Sequence, residues 1–359
     1  MTYSLLKILI VRFSSIGDIV LTTPVIRCLK LQLPGLELHY LTKKQFIPIL
    51  EPNPYLDKVW GYDDNFRELV PQLKAQGFDC VIDLHKNLRS FFVKRRLRVV
   101  SASFPKLNLQ KWATVHLKVN AMPDIHIVDR YFKAVKRLGA CNDNGGLDCF
   151  IAAGDEVAVT DLPFTHQQGF YALVIGGKHN TKIFPPEKIV EVCKKLSQPV
   201  VLLGGKEDRE RGEQIAARSG PIVYNSCGLY NISQSASLIR QSRAVLTNDT
   251  GLMHIAAAFN KRMVSVWGNT VPAFGMYPYL REGFRDNSMI AEVRGLSCRP
   301  CSKLGFKECP KKHFRCMREI ETGPIVDFLL KRAKNGATDD PATKETRPPE
   351  PEIRNYSEF

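Results

Sequence analysis

A chain of 359 residues with 44 % apolar and 24 % charged residues is long enough for two ordinary domains, each with its own core, and too apolar to stay disordered. No apolar run reaches bilayer-spanning length and no small-residue cleavage site follows the first strand-like run, so a protein working in the cytosol is expected. The formal charge of +15 is unevenly spread: between Lys86 and Arg137 thirteen Lys and Arg stand against Asp124 and Asp129, centred on KRRLR at 94–98. That stretch is either a solvated basic face or a surface for something acidic.

Short β-rich runs alternate with helix-length amphipathic segments, the pattern of parallel α/β sheets. Strands are predicted over 7–13, 36–41, 57–60, 80–84 and 99–103, with a helix over 18–33 stopped by Pro34-Gly35. The series restarts with strands over 171–177, 199–205, 244–249 and 263–268 and helices around 187–196, 207–218, 233–241 and 252–259. A polar, glycine-containing stretch around 141–168 joins the two series, which predicts two doubly wound, Rossmann-like domains over 1–160 and 161–335 facing a cleft. The tail 336–359, rich in Pro, Glu and Thr, is expected to be disordered.

In open α/β sheets ligands bind beyond the carboxyl ends of strands. FSSIGD at 13–18 lies at such an end: Gly17 permits close approach or a positive φ, Ser14 and Ser15 cap or bind, and Asp18 falls at a helix start. Asp18 there is either a helix cap or an acid kept ionised by the dipole, as a general base must be. LTNDTGLMHIAAAFN at 246–260 brings Asp249, Thr250 and Gly251 to another helix start with His254 one turn inside, a ready anion site that suits a pyrophosphate. A histidine on a helix is more often a packing or surface residue, and it is the place of His254 beside Asp-Thr-Gly that points to a ligand. Gly176, Gly177, Lys178 and Lys182 in IGGKHNTKIFPPE, and Thr270 in VWGNT, extend the same mouth. No G-x-G-x-x-G follows a strand, no G-x-x-x-x-G-K-[ST] occurs, and there is no Asp-x-Asp pair to hold a divalent ion on a diphosphate.

Together ILIVRFSSIGDIVLTTP, VIDLHKNLRS, KIFPPE, NDTGLMHIAAA and VWGNT, in this order over about 5–330, resemble glycosyltransferase family 9, the ADP-heptose:lipopolysaccharide heptosyltransferases. The resemblance implies a GT-B fold, an acceptor-binding N-terminal domain, a sugar-nucleotide-binding C-terminal domain and an inverting transfer that needs no catalytic metal or other cofactor. It makes Asp18 the general base and Lys182 the lysine beside the donor phosphates. Asp249 is then near the sugar, and Thr250, Gly251, His254, Gly176, Gly177 and Thr270 are near the diphosphate. Ser14, Ser15, Gly17, His85, Asn87, Arg89 and Ser90 are then on the acceptor side, with His85 standing where glutamine is common in the family. The basic stretch gains a partner in the acceptor and the anionic inner-leaflet surface, through Arg89, Lys94, Arg95, Arg96 and Arg98, giving peripheral attachment on the cytoplasmic side.

Cys298, Cys301, Cys309 and Cys316 lie in a segment spaced loosely like a structural zinc site, although a reducing compartment equally suits free thiols. A basic nucleic-acid-binding protein with a zinc module accounts for charge and cysteines but leaves FSSIGD and NDTGLMH unexplained, and no nucleic-acid partner is expected. A catalytically idle sugar-nucleotide binder is disfavoured by the presence of both Asp18 and Lys182.

Overall fold

The computed structural model describes residues 6–331, so the expected disordered tail lies outside the described residues. Two parallel sheets organise the chain. The first is built from β1 (Lys7–Val11), β2 (Glu37–Lys43), β3 (Lys58–Tyr62), β4 (Cys80–Asp83) and β5 (Val100–Ser103), in the order β3-β2-β1-β4-β5. The second contains β6 (Tyr171–Val174), β7 (Val200–Leu203), β8 (Val223–Asn225), β9 (Val245–Asn248), β10 (Met263–Trp267) and β11 (Ser288–Glu292), in the order β11-β10-β9-β6-β7-β8. Every pair is parallel, and β1 from Ile8, β6 and β7 carry unbroken apolar runs, as strands covered on both faces do. Ile8, Leu9, Ile10 and Val11 are all fully buried.

The order places β1 and β9 near the middle of their sheets, so their carboxyl ends deliver residues 12–18 and 248–254 to the crevice where ligands bind in such folds. Three differences from expectation have local causes. The helix expected over 18–33 is two helices, Ile16–Val20 and Thr23–Gln32. Thr22 and Thr23 turn their hydroxyls back onto the Ile19 and Val20 carbonyls, and Pro24 opens the second helix where its missing N–H costs nothing. Strands over-read at their ends stop where residues enter the crevice, so β1 ends at Val11 rather than Phe13. The edge strands β8 and β11 were not anticipated, being short and only partly apolar.

The segment 141–168 holds only single 3₁₀ turns and runs along both lobes. A second seam forms where the helix Ile127–Val135 meets the loop after β10. The Ile127 amide donates to the Gly275 carbonyl at 2.8 Å, and Tyr279 stacks on His126 with ring centroids 4.6 Å apart. Apolar side chains form one cluster continuous across both sheets, from Ile8 and Val25 to Ala172, Val201 and Met253.

Candidate active site

Asp18 is the third residue of the short helix Ile16–Val20 that follows β1 and is tied down at both oxygens. Oδ1 is 2.6 Å from an Arg12 guanidinium nitrogen, and Oδ2 accepts from the Ser15 amide and hydroxyl at 3.1 and 2.9 Å. Arg12 is itself buried and anchored to the carbonyls of Ser14 and Leu84. Burial pushes the Asp18 pKa up, but the Arg12 charge and the Ser15 hydrogen bonds outweigh it, and the carboxyl is held below its ordinary value. It is ionised at neutral pH. Capping does not use Asp18 up: it closes a capping box with Ser15 and keeps 20 % of its side chain exposed.

Across the crevice, β9 ends in Asn248, a buried amide that staples the neighbouring loop. Its Nδ2 donates to the Val174 and Gly176 carbonyls, and its Oδ1 accepts from the Phe184 amide. That staple sets the loop 175–184 against the next helix start, so that a Cβ on Gly177 would touch the Thr250 methyl at 3.4 Å. A side chain on Gly176 would strike Asp208, which explains the glycine there. Lys182 Nζ lies 2.5 Å from Asp249 Oδ2, and the same oxygen accepts from the Thr270 hydroxyl at 2.8 Å. Asp249, expected near the sugar, therefore also fixes Lys182 and Thr270 in place. Thr270 is buried and its hydroxyl is committed to Asp249, so it acts as a positioning residue.

The helix Gly251–Ala258 points its amino end into this space, and polar atoms around it lack partners among the described residues: Thr250 Oγ1, His254 Nδ1 and both amide atoms of Asn269. Buried polar groups left unpaired and gathered about one helix start mark a place shaped for a ligand. Burial lowers the His254 pKa to about 4, although Asp249 and Asp18 pull the other way, so the imidazole is neutral near pH 7.

The two helix starts touch. A Cβ on Gly17 would lie 2.5 Å from His254 Cδ2, and one on Gly251 would lie 2.7 Å from the Ile16 side chain and 3.3 Å from the Gly17 amide nitrogen. Gly17 is thus required for close approach and not for a positive φ. One crevice holds the carboxylate of one lobe and the helix start, lysine and orphaned polar atoms of the other.

The family model for glycosyltransferase family 9 (heptosyltransferase) matches residues 66–310. The chain belongs to glycosyltransferase family 9. This glycosyltransferase is 23 % identical to lipopolysaccharide heptosyltransferase 1 of Pseudomonas aeruginosa, over 93 % of this chain and 96 % of that protein. It is 26 % identical to lipooligosaccharide heptosyltransferase 2 of Haemophilus ducreyi, over 75 % and 85 % of the respective chains. Its fold matches the structure of E. coli ADP-heptose lps heptosyltransferase II with a TM-score of 0.69, at 19 % identity and covering 90 % of this chain and 97 % of that one. The E. coli heptosyltransferase WaaC with ADP gives 0.62 at 19 % identity, covering 90 % and 99 %. These matches establish the GT-B architecture expected from the sequence and a glycosyltransferase of heptosyltransferase type.

In the N-terminal lobe, the expected acceptor side, the turn after β4 is organised by Asp83, which is fully buried. It accepts from the amides of His85 and Lys86, from the Ser90 hydroxyl and from Lys94. Three residues read outward from sequence are therefore engaged inward. Ser90 is fully buried on Asp83, Asn87 caps the helix Leu88–Leu97 through the Ser90 amide, and Lys94 Nζ is 2.8 Å from Asp83 Oδ2. Arg89 is exposed and His85 lines the crevice, its ring edge-on to Phe13. Burial, reinforced by the Arg12 charge, lowers the His85 pKa to about 4, leaving it neutral. Ser14 stands beside Arg12 through its carbonyl, and Ser15 is exposed.

The four cysteines of the loose zinc-like segment lie near enough to act on one another's charge. Cys298 Sγ faces His313 Nε2 at 3.8 Å, Cys301 turns to the Cys298 carbonyl and Cys316 is buried in the second lobe's core. Among the described residues no three His, Cys, Asp or Glu side chains are placed to hold a metal ion. Sequence reasoning missed Arg12, whose charge interrupting ILIVRF was the available signal. It also missed Asn269 inside VWGNT, and Arg130, a buried guanidinium whose NH2 reaches the Phe274 carbonyl while Nε and NH1 have no partner among the described residues.

Proposed function

We propose that this glycosyltransferase moves heptose, or a closely related sugar, from an ADP-sugar to a lipopolysaccharide inner-core acceptor, with inversion and without a catalytic metal. The observation that carries the reading is the meeting of the two helix starts, which sets Gly17, next to the ionised Asp18, against His254, whose ring feels the charges of both Asp18 and Lys182. An acceptor hydroxyl gives its proton to Asp18 as its oxygen bonds to the anomeric carbon. The bond from that carbon to the diphosphate oxygen breaks on the opposite face, and its electron pair leaves with ADP. Lys182 and the backbone amides at the start of the helix Gly251–Ala258 meet the growing charge, as a metal ion does in other transferases. Neutral His254 offers a hydrogen bond without adding charge. His85 and Arg89 face the acceptor, and the exposed arginines hold the enzyme against the anionic cytoplasmic surface of the inner membrane.

The test is release of ADP from ADP-heptose with and without a deacylated inner-core acceptor. Acceptor-dependent release supports the reading. Absence of release with any heptose-accepting core, or equal release without acceptor, overturns it.

A further inference from the structure

Seven of the fifteen large apolar side chains exposed among the described residues fall between 88 and 119, so exposure is concentrated in one stretch of the N-terminal lobe. Leu88 and Phe91 stand one turn apart on the helix Leu88–Leu97, 86 % and 57 % exposed. Leu109 and Trp112 stand one turn apart on the helix Asn108–His116, 74 % and 51 % exposed. The inner faces of both helices are buried through Ser90 and Val93, and through Thr114 and Val115, so the outward apolar side chains belong to well-packed helices.

The two pairs share one mouth. Their helices leave the carboxyl ends of the neighbouring strands β4 and β5, and Lys106 ties the turns together by donating to the His85 and Lys86 carbonyls at 3.3 and 3.1 Å. This is the mouth that His85 and Arg89 open onto. From residue 84 to 123 the sequence contains no Asp or Glu, and Arg95 and Arg98 make no ion pair among the described residues. Apolar and tryptophan side chains standing out between unpaired arginines match the boundary of an anionic bilayer, where rings and aliphatic groups enter and guanidinium groups meet phosphates.

We infer that Leu88, Phe91, Leu109 and Trp112 form an insertion face by which the N-terminal lobe docks on an anionic lipid surface, with its acceptor mouth turned to the membrane. This deepens the membrane attachment proposed above, replacing attraction by charge alone with partial burial of defined side chains. The structure also supplies the reporter: of three tryptophans, Trp60 and Trp267 are 7 % and 1 % exposed, so lipid-induced change in emission reads Trp112.

The experiment uses vesicles of phosphatidylethanolamine and phosphatidylglycerol against phosphatidylcholine, with no donor or acceptor present. Anionic vesicles are expected to shift the emission to the blue and to retain measurable binding at about 0.5 M salt. Leu109→Glu, which keeps the reporter, is expected to lower partitioning at least about tenfold, as is Arg95→Glu with Arg98→Glu. ADP release by Leu109→Glu on a water-soluble deacylated acceptor stays at the wild-type rate. Unshifted emission, wild-type partitioning of Leu109→Glu, or complete loss of binding in salt overturns the insertion face. So does self-association in solution that Leu109→Glu abolishes, which would make the face a contact between copies of the chain. Because vesicle binding is read without turnover, its failure is distinct from failure of the transfer reading.

Discussion

The α-carbon of Gly17 faces the ring of His254 so closely that a methyl group added there would stand 2.5 Å from Cδ2. The imidazole is buried and has little room to withdraw. Gly17→Ala is therefore expected to wedge the two helix starts apart, costing about 1–3 kcal/mol of stability and at least about tenfold in kcat/KM. Thermal melting beside steady-state kinetics checks this, and wild-type values for both would show that the lobes do not work in this contact.

Asp18→Asn removes the proposed proton acceptor and leaves Arg12 buried without its counter-charge. Turnover is expected to fall at least about a hundredfold while ADP binding, measured calorimetrically, persists. A loss of about 1–3 kcal/mol in stability should accompany it, discounted for the partial exposure of the pair. Asp18→Glu restores the charge but displaces the oxygen, so it should recover stability more than turnover.

Because the Asp18 pKa is held below its ordinary value, the pair's stabilisation is present above about pH 4 and is lost as the pH falls through the folded value. An acid limb in kcat/KM from this group accordingly lies below about pH 4. Arg12→Gln leaves burial opposed only by the Ser15 hydrogen bonds, and the limb is expected to move upward by at least about one pH unit, as a pH profile of ADP release will reveal.

His85, His126 and His254 have pKa values lowered to about 4, 3 and 4, chiefly by burial. The unfolded chain takes up protons below about pH 6.5 that the folded chain refuses, so stability drops on acidification from there toward about pH 4. The buried His254 accounts for up to about 3 kcal/mol of that fall, and His254→Gln should flatten the dependence by about one proton in urea unfolding at pH 7 and 5.

Asp249→Asn releases both Lys182 and Thr270 from one oxygen. Weakening of ADP affinity by about tenfold or more is expected, with Lys182→Ala costing turnover as well as affinity. Exhaustive EDTA treatment should leave turnover unchanged if Lys182 and the helix amides carry the leaving-group charge. A chelator-sensitive, Mg²⁺-restored activity would assign that task to a metal.

The sheets were legible because Ile8–Val11, Tyr171–Val174 and Val200–Leu203 are buried on both faces and leave unbroken apolar runs. Both crevice turns were legible for the same reason, as polar residues placed abruptly at strand ends. The break at Thr22 was masked by the apolar periodicity of the residues around it. Lys94 read as an exposed cation because its partner, Asp83, is joined to it only by the folding of the turn after β4. Arg130 and Phe274 are separated by 144 residues, and no local pattern announces such a meeting.

The apolar cluster that runs unbroken from Ile8 through Leu147 and Val157 to Met253 makes the two lobes a single thermodynamic unit. A chain severed within 141–168 would bare oily surface on each fragment, and neither half should refold alone. Calorimetry of the intact enzyme should accordingly record one endotherm, with cooperativity spanning the full mass of both sheets.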